Sequence, residues 1–267
     1  MSNGTIDIPI IYLSTLYIII GVLSLYLKRN NISSYKELLV AALRMTIQLI
    51  IAGFVLDYIF KDASIIKSLA GIIIMLAFTI YTIFSRSSFN LSNELKFLIA
   101  ISIIFSSLMA LSIFIILVLR IKPIYDPKYV LPLLGMILGN SMTSIIICIN
   151  SIFNKIEDRK NFILSAMMIG LDSKNVLKNI LNESFKDAIL PQINSMLGMG
   201  IVFLPGMMTG QILSGTSPII AIKYQIGIML SIFVSVCIAN IIITQFTRNI
   251  FFDENENLKL EIKMIKK

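Results

Sequence analysis

The chain has 267 residues, 57% of them hydrophobic and 14% charged, with a mean hydropathy of +0.88, which places it outside the soluble globular range, where about a quarter of residues are charged. Its net charge of +8 comes from Lys and Arg clustered between apolar runs, the pattern of loops at an anionic membrane face rather than of a nucleic-acid surface. Histidine is absent, which removes the commonest transition-metal ligand and any Ser-His-Asp or HExxH chemistry, and Cys148 and Cys237 lack the spacing of a zinc site or disulfide framework and read as small packing residues.

The elements expected are membrane helices. Residues 1–7 carry no Lys or Arg, so the first apolar run, residues 8–27, lacks the basic start of a cleaved leader and reads as a retained span. Lys28, Arg29 and Lys36 follow it and place that loop in the cytoplasm and the N-terminus outside. The second span, 38–60, carries Arg44, Gln48 and Asp57. The charges lie within about two turns of a membrane face, where long side chains reach water, so anchoring is favoured over transport. A third span covers 68–84. The fourth, 97–119, is apolar apart from serines and is expected to face lipid.

The fifth span, 130–150, contains Pro132, Gly135 and Gly139 four apart, then Asn140, Ser141 and Thr143. Such a glycine pair lets another helix approach closely. A long hydrophilic segment follows, 151–189, in which Gly170 ends one helical pattern and Asp172 or Ser173 can cap the next. Val176, Leu177, Ile180, Leu181, Phe185 and Ala188 form a stripe at helical spacing. This amphipathic helix must bury its stripe against the protein's own spans, the membrane surface or a docked partner.

The longest charge-free run lies between Asp187 and Lys223. Within it, residues 190–213 are expected as the sixth span, but one holding polar and bendable residues. Uncharged polar side chains in hydrocarbon are costly unless paired, and Pro and Gly leave backbone groups to be satisfied, so such a helix faces protein or a cavity. Asn140, Asn194, Met196, Met199, Met207, Met208 and Gln211 are accordingly the candidates to line a translocation path. Thioethers suit soft ions, whereas amide and backbone oxygens suit harder ones, and which metal ligands operate stays open. The methionines also serve as flexible packing in a helix that moves. The seventh span covers 219–246, and a polar tail runs from 247 to 267. Of 23 Lys and Arg, 16 fall on the inner side in this arrangement and 5 outside, as the positive-inside rule requires.

The runs PLLGMILGNSMTS (132–144), IGLDSKNVLKNILNESFKDAILPQIN (169–194) and LPGMMTGQILSGTSPIIAIKYQI (204–226) resemble the FetB/YbbM permease family. Its members are membrane subunits of ABC exporters linked to tolerance of iron and other metals, and plant relatives are linked to aluminium tolerance. The resemblance implies an all-α, non-enzymatic permease of the bacterial cytoplasmic membrane that forms a homodimer and pairs with a cytoplasmic ATP-binding subunit. The chain itself would hold no cofactor, ATP being bound by the partner. That fits the absence of a Gly-x-x-x-x-Gly-Lys-[Ser/Thr] phosphate loop. LSAMMIGLDSK (164–174) echoes the Glu-Ala-Ala-x-x-x-Gly docking pattern of ABC permeases at Ala166 and Gly170, with Leu164 in place of the acid. Docking is therefore assigned to Ala166, Gly170, Asp172, Leu177, Leu181 and Phe185. The competing readings are an ion-coupled secondary transporter, which calls for a buried mid-membrane acid, and a non-transporting scaffold or sensor.

Overall fold

The computed structural model describes residues 8–30, 32, 35–61, 64–171 and 173–251. These are helical, in the order α1 (Ile10–Arg29), α2 (Tyr35–Lys61), α3 (Ile65–Arg86), α4 (Asn93–Ile113) with a π-helical continuation (Phe114–Leu119), α5 (Pro127–Asp158), α6 (Lys160–Met168), α7 (Ser173–Gly198), α8 (Gly206–Leu213) and α9 (Pro218–Phe251). Among the described residues, six uninterrupted helices are long and apolar enough to cross a membrane: α1, α2, α3, α4 with its continuation, α5 and α9. The protein is an all-α, multi-pass membrane protein. The expected cap Asp172 and the tail beyond residue 251 lie outside the described residues.

Where a sixth continuous span is expected, the chain instead ends α7 at Gly198 and resumes helix only at Gly206. The backbone explains the break. Gly200 takes φ +85°, a conformation open to glycine at no steric cost. The turn closes on itself as Val202 N–H donates to Gly198 O at 2.9 Å and Gly200 N–H to Phe203 O at 3.0 Å. Pro205, itself extended at φ −64° and ψ 145°, then opens α8 from its N-cap position.

Contacts fix the helix directions. Gly71 meets Leu131 and Gly135 meets Met75, so α3 and α5 run the same way, and the pairs Ser141–Ser235 and Ser144–Asn240 align α9 with them. Helix α7 runs against α5, since Ser144 pairs with Ala188 while Arg159 pairs with Glu183. At one end of the bundle the Phe89 and Phe153 rings stack, centroids 4.8 Å apart, and Phe251 meets Phe153 edge-on at 5.3 Å. This brings the start of α4 to the end of α9.

The fourth span has two faces: Ile99, Ser102, Ile103, Ser106, Ser107 and Ala110 are buried, mainly against α9, while Phe97, Ile101, Phe105 and Leu117 form an exposed apolar face suited to lipid, as expected. The serines make this possible. Ser102 donates to Ile99 O and Ser107 to Ile103 O, so their hydroxyls are satisfied within the helix while their small size admits a neighbour. Further along, Gly227 of α9 receives the Phe114 ring so closely that a Cβ there would lie 2.4 Å from it. The least buried helices are α1 and α2, which pack on each other and share the Tyr17–Thr46 hydrogen bond. Arg44 lies over the Phe78 ring at 5.6 Å, and Asp57 pairs with Lys61 at 2.9 Å on the exposed side of α2.

The glycine pairs do not bring two backbones together within the chain. Gly135 faces the Met75 side chain, while Gly139, Gly206 and Gly210 have open space beside them. Cys148 is buried and Cys237 half-buried, both as free thiols.

Candidate functional site

A cavity of about 100 Å³ opens between α5 and α7, lined by Asn140, Thr143, Ser144 and Ile147 from one and Ala188, Pro191, Gln192 and Ser195 from the other. Both sets follow the spacing i, i+3, i+4, i+7, which puts each on a single helical face. Antiparallel packing of those faces creates the site. A second cavity, about 330 Å³, lies between α3 and α4 but is lined mainly by Ile, Leu and Val. Its Ser68 hydroxyl donates to Tyr125 O at 2.6 Å.

The polar groups of the smaller cavity have a definite sense. Asn140 Nδ2 donates to Met136 O at 2.8 Å, Thr143 Oγ1 to Gly139 O at 3.1 Å and Ser195 Oγ to Pro191 O at 3.0 Å. The hydroxyl hydrogens of Thr143 and Ser195 and one amide hydrogen of Asn140 are thus engaged by their own helices, and oxygen lone pairs remain for a ligand. Gln192 is the opposite case: it is 6% exposed and its Nε2 has no hydrogen-bond partner.

Behind the cavity wall, Ser144 Oγ donates to Ala188 O at 2.8 Å and accepts from Asn240 Nδ2 at 2.7 Å, and Asn240 Nδ2 also reaches Val236 O. This ties α5, α7 and α9 together with neutral groups. Toward the Arg159 end of α5, charges take over. Lys155 reaches Asp187 at 2.6 Å and Glu183 at 3.6 Å, Ser151 Oγ donates to Asp187 at 2.7 Å, and Arg159 forms a two-pronged pair with Glu183. The Lys155 hydrogen bond, helped by Ser151, holds the Asp187 carboxyl below its ordinary range, and Arg159 does the same for Glu183.

The other path candidates are distributed. Asn194 is exposed on α7 and Met196 half-buried there, both outside the cavity lining. Met199 lies in the break, where its sulfur accepts from Gln225 Nε2 at 3.8 Å. Met207 and Met208 pack into the protein from α8, and Gln211 carries a buried Oε1 without a partner. Of the seven, the structure brings Asn140 alone into the cavity, with Thr143, Ser144, Gln192 and Ser195 as companions that the sequence analysis did not select. Their shared signal was the i, i+3, i+4 spacing. Among the described residues there is no group of three or more His, Cys, Asp or Glu able to hold a metal ion. A bare ion entering such a neutral site would give up its hydration for uncharged dipoles. The idealised burial cost is about 20 kcal/mol for a single charge and grows with the square of the charge.

The docking candidates also divide. Gly170, at φ +86°, ends α6 in a Schellman arrangement, with Leu171 N–H donating to Ala166 O and Gly170 N–H to Met167 O. Ala166 and Leu177 are buried, and Leu181 and Phe185 half-buried, so the amphipathic stripe packs on the protein's own helices. Exposed apolar surface lies instead on α6 and the turn after it, where Phe162, Met168 and Ile169 are 67%, 85% and 79% exposed and Leu171 is exposed too.

Comparison with known proteins agrees with this architecture. The chain is 30% identical to UPF0014 membrane protein YjkA of Bacillus subtilis over 250 residues, covering 93% of this chain and 98% of the relative. It is 27% identical to the probable iron export permease protein FetB of Escherichia coli over 265 residues, 97% of each chain. It is 26% identical to protein ALUMINUM SENSITIVE 3 of Arabidopsis thaliana over 200 residues, 75% of this chain and 71% of that one. No solved structure matches. The model of the family described as "Uncharacterised protein family (UPF0014)" matches residues 10–252, nearly the whole bundle, and the chain belongs to that family.

Proposed function

We propose that the protein is the membrane permease subunit of an ATP-driven metal exporter, with iron the first candidate cargo. Two copies would pair in the bacterial cytoplasmic membrane with two copies of a separate ATP-binding subunit, with the Arg159 end of α5 toward the cytoplasm. Support for the cargo comes from the name of the FetB relative, matched along 97% of its length. Support for a separate motor comes from the missing phosphate loop.

The observation that carries this reading is the course of α7. It leaves the Gly170 turn beside the exposed Phe162, Met168 and Ile169 and continues unbroken to Gln192 and Ser195 in the cavity wall. From Ser173 to Gln192 it spans about 28 Å at 1.5 Å per residue. A partner pressing on the apolar patch would therefore move the cavity wall directly. The adjoining break at 199–205 gives the far end of that lever freedom to shift. A secondary transporter would use a buried acid, and Asp57, its candidate, is paired with Lys61 at the surface.

The test is co-purification of the tagged chain with its ATP-binding subunit in mild detergent, followed by assay of metal-stimulated ATP hydrolysis. Replacing Met168 and Ile169 with Asp should abolish both association and stimulation while the permease still folds. A wild-type chain that purifies alone, or a double variant that still binds the ATPase, would defeat the proposal.

A further inference from the structure

Building on the reading of the chain as a metal permease, we propose that the cavity between α5 and α7 binds its cargo through the cargo's own ligand shell. The metal would keep its aqua or organic ligands and be held by hydrogen bonds to those ligands, with no protein atom bonded to the metal. The sense of the polar groups leads here. Thr143 and Ser195 have donated their hydroxyl hydrogens, and Asn140 an amide hydrogen, to backbone carbonyls, so three oxygens offer lone pairs to whatever enters. Such acceptors recognise donors. Water or hydroxyl groups on a metal are strong donors because the ion polarises them.

Two further observations agree. At about 100 Å³ the cavity exceeds the roughly 10–15 Å³ that a single water needs, so part of a ligand shell can enter. In addition, Gln192 Nε2 is buried and unpartnered, and an oxygen in the shell supplies the acceptor it lacks. Direct coordination of a hard cation would instead use carboxylates, and none lines this cavity.

The discriminating probe is hexaamminecobalt(III), whose ligands donate hydrogen bonds but do not exchange, set beside Mn²⁺, whose waters exchange readily. Binding to the full chain in lipid nanodiscs is measured by equilibrium dialysis with metal analysis. Both probes should bind, and Thr143→Val, an exposed and nearly isosteric change, should weaken both about five- to tenfold, the effect of one hydrogen bond. Gln192→Leu should weaken binding of Mn²⁺, whose aqua oxygens can accept from the amide, and leave that of hexaamminecobalt(III), whose ammine nitrogens have no free lone pair, unchanged; the circular dichroism of each variant checks that it folds. A third arm with tris(ethylenediamine)cobalt(III), an inert complex whose N–H donors are carried on an organic frame, separates the sources: retention stronger than that of hexaamminecobalt(III) supports an organic shell, and weaker retention supports an aqua shell. Binding of Mn²⁺ with exclusion of the inert complex would overturn the outer-sphere mode while leaving the metal-permease reading intact. Failure of all three probes would overturn both. Mn²⁺ binding that is unchanged in the folded Thr143→Val and Gln192→Leu proteins would remove the cavity as the site.

Discussion

Replacing Ser144 with alanine deletes one oxygen atom and, with it, two hydrogen bonds that join three helices: the donation to Ala188 O and the acceptance from Asn240 Nδ2. Side-chain hydrogen bonds between membrane helices average about 0.6 kcal/mol and reach about 1.7 kcal/mol. The expected loss is therefore about 1–3 kcal/mol. Ser141 is the internal control, because it is equally buried but makes a single interhelical contact, to Ser235 at 3.0 Å. Ser141→Ala should cost about 0.6 kcal/mol on the same scale. Stability is read from reversible unfolding in mixed micelles with rising SDS, followed by far-ultraviolet circular dichroism, since the chain has no Trp to report. Combining Ser144→Ala with Asn240→Ala should cost less than the sum of the two, because both remove the same bond. If Ser144→Ala costs no more than Ser141→Ala, or if the pair is additive, the network does not hold α7 to α5 and α9 as described.

Gly227→Ala should destabilise the protein by about 1–3 kcal/mol through overpacking, because its Cβ would fall 2.4 Å from the buried Phe114 ring; the same unfolding titration measures it, and trimming the ring in Gly227→Ala/Phe114→Leu should recover part of the loss. The charged contacts between α5 and α7 should respond to acid in one direction. Asp187 and Glu183 are held below the ordinary carboxylate range in the folded protein, so their contribution is complete above about pH 4, the unfolded value, and is lost as pH falls through the lower folded values. Wild-type stability should accordingly be flat from neutral pH to about 5 and fall below about 4, whereas Lys155→Met should flatten the acid limb; equal slopes in the two proteins would refute the assignment.

The lining of the cavity was partly legible in the chain. Asn140 stood out because an amide in an apolar run demands a partner, and Gly170 because a glycine after a helical pattern signals its end. Thr143 and Gln192 were noted as polar residues of their runs but not chosen as lining, and Ser195 was not noted. Their meaning lies in a spacing shared by two segments more than forty residues apart, and nothing local shows that those two faces meet. The docking segment was read from its amphipathic stripe, yet that stripe turned inward and left Phe162, Met168 and Ile169 outside.

What the sequence by itself determined was the class: an apolar, helical, multi-pass chain without catalytic or metal-chelating clusters, and a charge-free stretch whose polar residues and prolines ask for a protected environment. Tertiary structure decided which apolar helix is central and which is peripheral. In water, hydropathy separates inside from outside. In a bilayer, lipid and protein interior are both apolar, so hydropathy carries no such contrast and packing by small residues decides instead. The fourth span thus gained a buried face beside its lipid-suited one, because its serines admit α9 and Gly227 of α9 admits Phe114. The break at 199–205 likewise followed from Gly200 and Pro205 within a stretch whose average hydropathy reads as one span. The cavity arose only where α5 and α7, running in opposite directions, set their two polar faces against each other.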